Sequence, residues 1–270
     1  MKPILNWQTA EVVNIFDEVS LWAAPFGKLM LDHIPMQHGW QILDIGFGTG
    51  FPLIELAQRF GPGSTITGID MWEEAIVRSE EKARVCGLTN VNIVRGDAAA
   101  FSFPDASFDL ITSNLGVNNF DKKEEVIAAC YRMLKPGGHI AITTNVKGTF
   151  EALFDIFAQS LTELNLDLGK LQDYLEHRSS ISETIALFQQ KGFKHVKTVE
   201  DEACFRFVDA AAVFDHSLMR IGFREGWQGL VEEKDRTSFF TKAQSLIEKH
   251  IEDNGELRMK VPVVYLDFEK

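Results

Sequence analysis

The sequence carries little positive charge for its size. Its 270 residues include 27 lysines and arginines against 39 aspartates and glutamates, which gives a formal net charge of −12. Proteins that bind DNA or RNA usually present a basic surface that neutralises phosphates. We therefore expect no nucleic-acid partner for this chain.

Cysteine is scarce as well. Cys86, Cys130 and Cys204 are widely separated, form no Cys-x-x-Cys pair and have no histidine at zinc-site spacing. An odd number of scattered cysteines argues against a disulfide framework and against a structural zinc site. We expect three buried, unreactive thiols.

Long apolar segments are also missing. No stretch approaches the about 18 uninterrupted apolar residues of a membrane-spanning helix, and the first residues lack the apolar core of a signal peptide. The hydrophobic fraction of 45% is ordinary for a globular protein with a sizeable core. These features predict a cytoplasmic protein without a membrane span.

A repeating rhythm is present between residues 40 and 146, where short apolar runs alternate with turns and helical patterns. Such alternation indicates parallel strands joined by helices. The predicted strands are 41–45, 65–69, 91–94, 108–113 and 139–145, with two more at 194–207 and 261–268. The predicted helices of this segment are 51–60, 73–86 and 122–134. Pro136-Gly137-Gly138 is expected to stop the last of them.

The pattern predicts an α/β fold: a Rossmann-like, mostly parallel seven-stranded sheet with helices on both faces and an antiparallel last strand. We expect one domain over 1–270. Its parts are a helical N-terminal flap at 1–39, a core at 40–146, helical additions at 147–193 and 208–258, and the last two strands at 194–207 and 261–268. The additions carry one-sided apolar stripes, which are typical either of core-facing helices or of a lid over a substrate.

The most informative motif follows the first predicted strand. Glycines stand at positions 46, 48 and 50, Asp44 precedes them and Phe51 follows. Glycines at such a turn let a ligand approach the backbone amides at the start of the next helix. A dinucleotide fingerprint has the spacing G-x-G-x-x-G, whereas this loop reads G-x-G-x-G.

Three further motifs follow later strands. Asp70 ends the second strand, twenty residues after Gly50, where a carboxylate can accept hydrogen bonds from a ribose diol. Gly96-Asp97-Ala98 follows the third strand, and Ser113-Asn114-Leu115-Gly116 follows the fourth. The carboxyl ends of consecutive parallel strands are where ligands of open α/β sheets bind.

With these four ordered motifs, and with Arg132-Met133-Leu134-Lys135-Pro136-Gly137-Gly138 ahead of the fifth strand, the chain resembles the class I S-adenosylmethionine (SAM)-dependent methyltransferases. The likeness is strongest to the small-molecule group that includes quinone-biosynthesis enzymes. It implies transfer of a methyl group from SAM to a small organic acceptor by in-line displacement, with S-adenosylhomocysteine (SAH) as product. It also implies that 40–146 binds SAM and that the helical additions form an acceptor-side lid.

The resemblance assigns the cofactor contacts residue by residue, from the methionine end to the adenine. The implied residues are Asp44, Gly46, Gly48 and Gly50 at the methionine part, Asp70 at the ribose, Met71 and Trp72 near the adenine, Asp97 and Ala98 on the adenine edge, and Asn114 and Leu115 at the methionine end. Two structural alternatives stay open: Asp44 braces the loop, or Asp97 caps a helix.

Catalytic groups are not marked by any motif. The candidates for a general base are His33, His177, His216 and Tyr174, and a base is needed only if the accepting atom is protonated. Metal-dependent relatives of this family carry acidic ligands where this chain has Ser113 and Thr144-Asn145, so the resemblance implies a metal-independent enzyme.

Other interpretations remain possible from the sequence. A protein of this fold can bind SAM or SAH without methyl transfer, and a Rossmann-like oxidoreductase would use a nicotinamide cofactor instead. The aromatic and acidic segment 16–27 is interpreted either as a flap over the cofactor or as a helix packed on the sheet. We expect a monomer or a homodimer.

Overall fold

The computed structural model describes residues 1–6, 9–16, 21–100, 103–120 and 122–270, except for the side chain of Asn118. The contacts divide the chain into two units. The first, called the sheet unit, comprises Gln8–Asn145, Ser180–Asp201 and Val263–Lys270. The second, called the helical unit, comprises Met1–Trp7, Val146–Ser179 and Glu202–Pro262.

Seven strands form one sheet in the order β3-β2-β1-β4-β5-β7-β6. Strands β1 to β5 pair in parallel, and β7 is antiparallel to β5. The strands are β1 (Gln41–Ile45), β2 (Thr65–Asp70), β3 (Val91–Arg95), β4 (Phe108–Asn114), β5 (Leu134–Asn145), β6 (Lys194–Phe207) and β7 (Leu257–Glu269). The predicted fold class is confirmed, including the antiparallel last strand.

Twelve α-helices occur in the described ranges. In chain order they are α1 (Ala10–Phe16), α2 (Ala24–His33), α3 (Leu53–Phe60), α4 (Glu73–Val85), α5 (Lys123–Met133), α6 (Glu151–Glu163), α7 (Gly169–Glu176), α8 (Ile181–Gln190), α9 (Ala210–Asp215), α10 (Ser217–Gly222), α11 (Arg224–Gln228) and α12 (Arg236–Asn254). Helices α3, α4 and α5 connect strands of the sheet, as the alternation predicts.

The sequence places the start of β5 five residues too late. Helix α5 ends at Met133, and β5 begins at Leu134 and runs through the Pro-Gly-Gly segment. The reason is a backbone pairing at the end of the chain: Gly137 N–H donates to the carbonyl of Lys270 over 3.1 Å, and Lys270 N–H donates to that of Gly138 over 3.0 Å. Strand β7 likewise begins four residues before the predicted Val261.

The helical unit has an aromatic core. The ring of Phe157 on α6 lies 5.2 Å from that of Phe239 and 5.6 Å from that of Trp227, between ring centres. The apolar stripes predicted on α6 and α12 are buried here, including Leu153, Phe157 and Phe239. Their burial accounts for much of the phenylalanine content outside the sheet.

The predicted helical addition at 147–193 is divided in the structure. Its α6 and α7 belong to the helical unit, whereas α8 belongs to the sheet unit. A single domain over 1–270 therefore stays a prediction. The expectation of three buried thiols is wrong for two of them, because Cys86 and Cys204 are exposed and only Cys130 is buried. Burial raises the pKa of the Cys130 thiol to about 12, so this thiol is unreactive at neutral pH.

Candidate functional site

The glycine loop joins β1 to α3 in a conformation that only glycine adopts readily. Gly46, Gly48 and Gly50 have φ angles of +76°, +53° and +105°. A Cβ atom built on Gly48 would meet nothing within 4 Å, and one on Gly46 would meet only the Cα of Gly116 at 3.7 Å. The loop therefore leaves open space beside Gly46 and Gly48, as a ligand cradle requires.

Two side chains of α4 hold the carbonyls of this loop. The Ser79 hydroxyl donates to the carbonyl oxygen of Gly48 over 3.0 Å, and the Lys82 ammonium donates to that of Thr49 over 2.7 Å. Residues three apart on a helix share a face, which explains why both reach the same turn. Sequence reasoning missed this pair, although the i, i+3 spacing of two polar donors after the Asp70 motif was a usable signal.

Asp70 braces the loop from the end of β2. One carboxylate oxygen accepts the N–H of Gly48 over 2.7 Å, and the other accepts the N–H of Trp72 over 2.8 Å. Each carboxylate oxygen has a second lone pair, so the group can accept two more hydrogen bonds. Asp70 thus positions the loop and retains capacity for a diol.

Asp44 is fully buried at the centre of the sheet. Its Oδ1 accepts the hydroxyl of Thr112 over 2.7 Å, while its Oδ2 has no hydrogen-bond partner among the residues described by the structure. Burial raises the pKa of Asp44 to about 7; the Thr112 hydrogen bond opposes this and the charge of Asp70 adds to it. A buried carboxylate oxygen without a donor is suited to a cationic or donor-bearing ligand group.

The residues after β3 and β4 lie at the same end of the sheet. The carboxylate of the exposed Asp97 accepts the N–H of Ala99 over 2.8 Å, so this side chain stabilises its own turn, and Ala98 lies within that turn. The Asn114 side chain accepts the Thr143 hydroxyl over 2.6 Å and donates to the carbonyl of Ala23 over 3.3 Å.

Leu115 adopts the left-handed conformation, with φ of +64°. Its N–H donates to the carbonyl of Thr143 over 3.0 Å, which holds the turn in place. A left-handed backbone costs a residue with a side chain about 1–2 kcal/mol. Such strain at a turn beside the glycine loop is common at ligand sites.

The N-terminal segment reaches this end of the sheet at two points. Phe16 at the end of α1 makes an edge contact with the ring of Trp72, 5.0 Å between centres, whereas Met71 is 66% exposed. A Cβ on Gly27 of α2 would lie 2.1 Å from the ring of Phe51, so α2 packs directly on the residue after the glycine loop. The predicted flap residues 17–20 lie outside the described residues.

The four base candidates are divided between the units. His33 belongs to the sheet unit, where its Nδ1 lies 3.2 Å from the Lys197 ammonium. His177, His216 and Tyr174 belong to the helical unit. His177 is exposed, and the ring of Tyr174 packs against Phe154 at 5.5 Å.

His216 is the most unusual of these candidates. Its Nδ1 is buried without a partner in the described part of the chain, and burial lowers the pKa of its imidazole. No contact within the helical unit singles it out as a base, so all four residues stay predictions.

Two other kinds of feature are absent from the described ranges. They contain no group of three or more histidine, cysteine or acidic side chains with the geometry to bind a metal ion. No described helix has both the length and the apolar composition needed to cross a bilayer.

Known proteins with similar sequences are methyltransferases. A family model described as a methyltransferase domain matches residues 37–203. The demethylmenaquinone methyltransferase of Listeria welshimeri is 31% identical over 189 residues, which cover 66% of this chain and 78% of the relative.

Solved structures show the same fold. A SAM-dependent methyltransferase from Aquifex aeolicus superposes with a TM-score of 0.56 at 20% identity, covering 71% of this chain and 92% of that one. A phosphoethanolamine N-methyltransferase from Haemonchus contortus, in complex with SAH, has a TM-score of 0.54 at 17% identity, covering 90% of this chain and 52% of that one.

Proposed function

The chain belongs to the methyltransferase-domain family and is a SAM-dependent methyltransferase, and on that premise we propose that its glycine loop, Asp44, Asp70 and Asp97 bind SAM for methyl transfer to a small organic acceptor. SAM supplies a methyl carbon that its sulfonium makes electrophilic. The protein has to hold the cofactor, align the acceptor and exclude water.

One observation carries the choice of cofactor. The N–H of Gly48 donates to the Asp70 carboxylate over 2.7 Å, and the fully buried Asp44 lies at the end of the preceding strand. An acidic residue at the place of Asp70 also binds the ribose of NAD, but in dinucleotide enzymes the loop amides face a pyrophosphate, which the buried carboxylate of Asp44 would repel. A ligand with an ammonium and a sulfonium is complementary to the same charges.

We propose the following division of roles. Asp44 faces the ammonium of the methionine part, Asp70 accepts from the ribose hydroxyls, and Asp97 accepts from the exocyclic amine of adenine. Supporting residues fix the geometry, because Ser79 and Lys82 hold the carbonyls of Gly48 and Thr49 in the loop. The remaining proposed contacts are Ala98 with the adenine ring, Met71 and Trp72 beside it, and Asn114 and Leu115 at the methionine end.

The cofactor assignment is tested by thermal shift with SAH and with NAD, each at saturating concentration. We expect SAH to raise the unfolding temperature by several degrees, because a ligand that binds only the folded state stabilises it. NAD is expected to leave the unfolding temperature unchanged. Stabilisation by NAD and not by SAH would contradict the proposed site.

A glycine substitution tests the location of the cofactor. Gly48→Ala should lower the unfolding free energy by about 1–2 kcal/mol, the cost of a side chain in the left-handed conformation, and weaken SAH binding about tenfold or more because the methyl group fills the cradle. Gly87→Ala is the matched control, since Gly87 has φ of +65°, meets nothing within 4 Å and lies after α4. Equal SAH affinity in the two variants would exclude Gly48 from the site.

The acceptor is proposed to be an apolar ring compound. Support comes from the relative named demethylmenaquinone methyltransferase. Incubation with tritiated SAM and hydroxylated naphthalenes or quinols tests this, with extraction of the labelled product into organic solvent. Label transferred only to polar amines would contradict it.

We further propose that the reaction needs no metal, that no nucleic acid is involved and that the protein acts in the cytoplasm as a monomer or homodimer. The net charge of −12 supports the second point. The three free cysteines fit a reducing compartment. A methyl transfer that persists in the presence of EDTA would agree with metal independence.

A further inference from the structure

The helical unit contains a buried cation without an anionic partner. Arg224, the first residue of α11, is only 2% exposed. Its terminal nitrogens donate to the carbonyl of Phe214 and to the sulfur of Met1, and its Nε has no partner within the described residues. None of the ion pairs among those residues involves Arg224.

This arrangement is costly for the unliganded protein. A buried charge needs a counter-charge or several strong acceptors, and a thioether sulfur is a weak acceptor. Burial lowers the pKa of Arg224, although the charge of Asp215 acts in the opposite direction. The carboxylate of Asp215 accepts the backbone N–H of Lys2 over 2.8 Å, and among the described residues no hydrogen bond or ion pair joins it to Arg224. The guanidinium therefore lacks an anionic hydrogen-bond acceptor.

A second buried donor lies on the same helix. Trp227 is 0% exposed, and its indole N–H has no acceptor in the described ranges. It follows Arg224 by three residues, so the two side chains share a face of α11. Two unsatisfied donors on one buried face indicate a ligand that brings acceptor oxygens.

The surroundings define the rest of such a ligand. The rings of Phe214 and Phe240 lie 5.4 and 5.7 Å from the central carbon of the Arg224 guanidinium. The indole of Trp227 lies 5.6 Å from Phe157 and 6.0 Å from Phe223, between ring centres. These contacts favour a flat, apolar body, and the guanidinium fork matches the two oxygens of a carboxylate.

We propose that Arg224 and Trp227 form a binding site for a small aromatic carboxylate within the helical unit. The carboxylate of the ligand replaces the Met1 sulfur as the acceptor of the Arg224 guanidinium. Met1 can move away because its flexible side chain is 57% exposed. The site goes beyond the proposed methyl transfer, because it requires neither SAM nor any residue of the glycine loop.

Calorimetric titration with 2-naphthoate and with 2-naphthamide tests the site. The two probes have the same ring, and only the first carries a charge. We expect the wild-type protein to bind 2-naphthoate about tenfold or more tightly than 2-naphthamide, as charge-assisted bidentate hydrogen bonds require. Equal affinities, or no binding of 2-naphthoate at millimolar concentration, would overturn the proposal.

Variants connect this preference to the two donors. Arg224→Met is expected to abolish the preference for the carboxylate, and Trp227→Phe to reduce it several-fold while 2-naphthamide binding stays the same. Arg220→Met is the matched control: Arg220 also contacts the N-terminal segment, donating to the carbonyl of Pro3 over 2.8 Å, but it is not fully buried. This control should keep the preference.

Stability measurements show whether Arg224 binds a ligand or only stabilises the fold. Replacing a buried unpaired charge by an apolar side chain leaves stability unchanged or raises it. We therefore expect Arg224→Met to unfold at the same temperature as the wild type or higher without ligand, and to keep its thermal shift with SAH. If Arg224→Met does not fold, Arg224→Gln replaces it in both titrations. An Arg224 variant that keeps the carboxylate preference would refute the site, whatever the outcome for SAH.

Discussion

Replacing Asp44 with asparagine is expected to make the unliganded protein more stable relative to the wild type as the pH rises. Burial raises the pKa of this carboxyl from 3.8 to about 7. Between these two values the folded state holds a proton that the unfolded state has lost, so the stability of the wild type falls as the pH increases. Asparagine does not titrate, so the stability of the Asp44→Asn variant does not fall with pH for this reason.

The size of this stability difference follows from the pKa shift of Asp44. The stability difference between Asp44→Asn and the wild type should grow by about 2–4 kcal/mol between pH 5 and pH 8. Urea unfolding at four pH values measures it. Asp97→Asn is the control, because Asp97 is exposed. Parallel pH profiles for Asp44→Asn and the wild type would show that Asp44 is ionised in the folded state throughout this range.

The same substitution should weaken cofactor binding. We propose that the unpartnered Oδ2 of Asp44 faces the ammonium of SAM, and an amide N–H₂ at that place would face the ammonium with the wrong polarity. SAH is expected to bind about 5- to 150-fold more weakly, which corresponds to about 1–3 kcal/mol. 5′-Methylthioadenosine lacks the amino-acid part and should bind both proteins equally. Equal losses for the two ligands would contradict the assignment.

The two expected effects, on stability and on binding, together explain why a carboxylate lies in the core. An ionised Asp44 destabilises the empty protein, and a cationic ligand removes that cost by supplying the missing partner. SAH binding near pH 6.5 should therefore release protons, because the ammonium lowers the pKa of Asp44. Calorimetry in two buffers of different ionisation enthalpy measures this release.

Much of the sheet could be predicted from the sequence because its signals are local. Apolar runs, turns and helical patterns alternate strongly between residues 40 and 146, and β1 and β6 have the predicted bounds. The start of β5 was wrong because it depends on a pairing with Lys270, which lies 132 or more residues away in sequence from the Pro-Gly-Gly segment. Pairing between distant segments leaves no local pattern.

The contacts of the site are likewise hard to predict from local sequence. The motif predicts Asp44, but its partner Thr112 follows from the register of β1 against β4, in which these two residues are neighbours. The contact of Asn114 with Ala23 and the packing of Gly27 on Phe51 depend on where α2 lies against the sheet. Residue types indicate the ligand chemistry, whereas the supporting contacts require the tertiary arrangement.

Asp70→Asn is the second substitution with a large expected effect. In the structure both carboxylate oxygens accept backbone N–H groups, from Gly48 and Trp72. An asparagine can accept only one of these, and it presents a donor where the ribose hydroxyls need an acceptor. We expect both SAH and 5′-methylthioadenosine to bind about 5- to 150-fold more weakly, or about 1–3 kcal/mol.

Loss of the hydrogen bonds by which Asp70 holds the glycine loop would also weaken the binding of both ligands. A ribose analogue distinguishes this cause from the loss of a ribose contact. If Asp70 accepts from the ribose, the wild type binds 5′-methylthioadenosine more tightly than its 2′-deoxy analogue, and Asp70→Asn loses this discrimination. If Asp70 only braces the loop, the substitution weakens both nucleosides by the same factor and the discrimination stays. RT times the logarithm of the quotient of these two affinity ratios, wild type over Asp70→Asn, is the coupling free energy between the carboxylate and the 2′-hydroxyl. A coupling of zero would reassign Asp70 from a cofactor contact to a residue that positions the glycine loop.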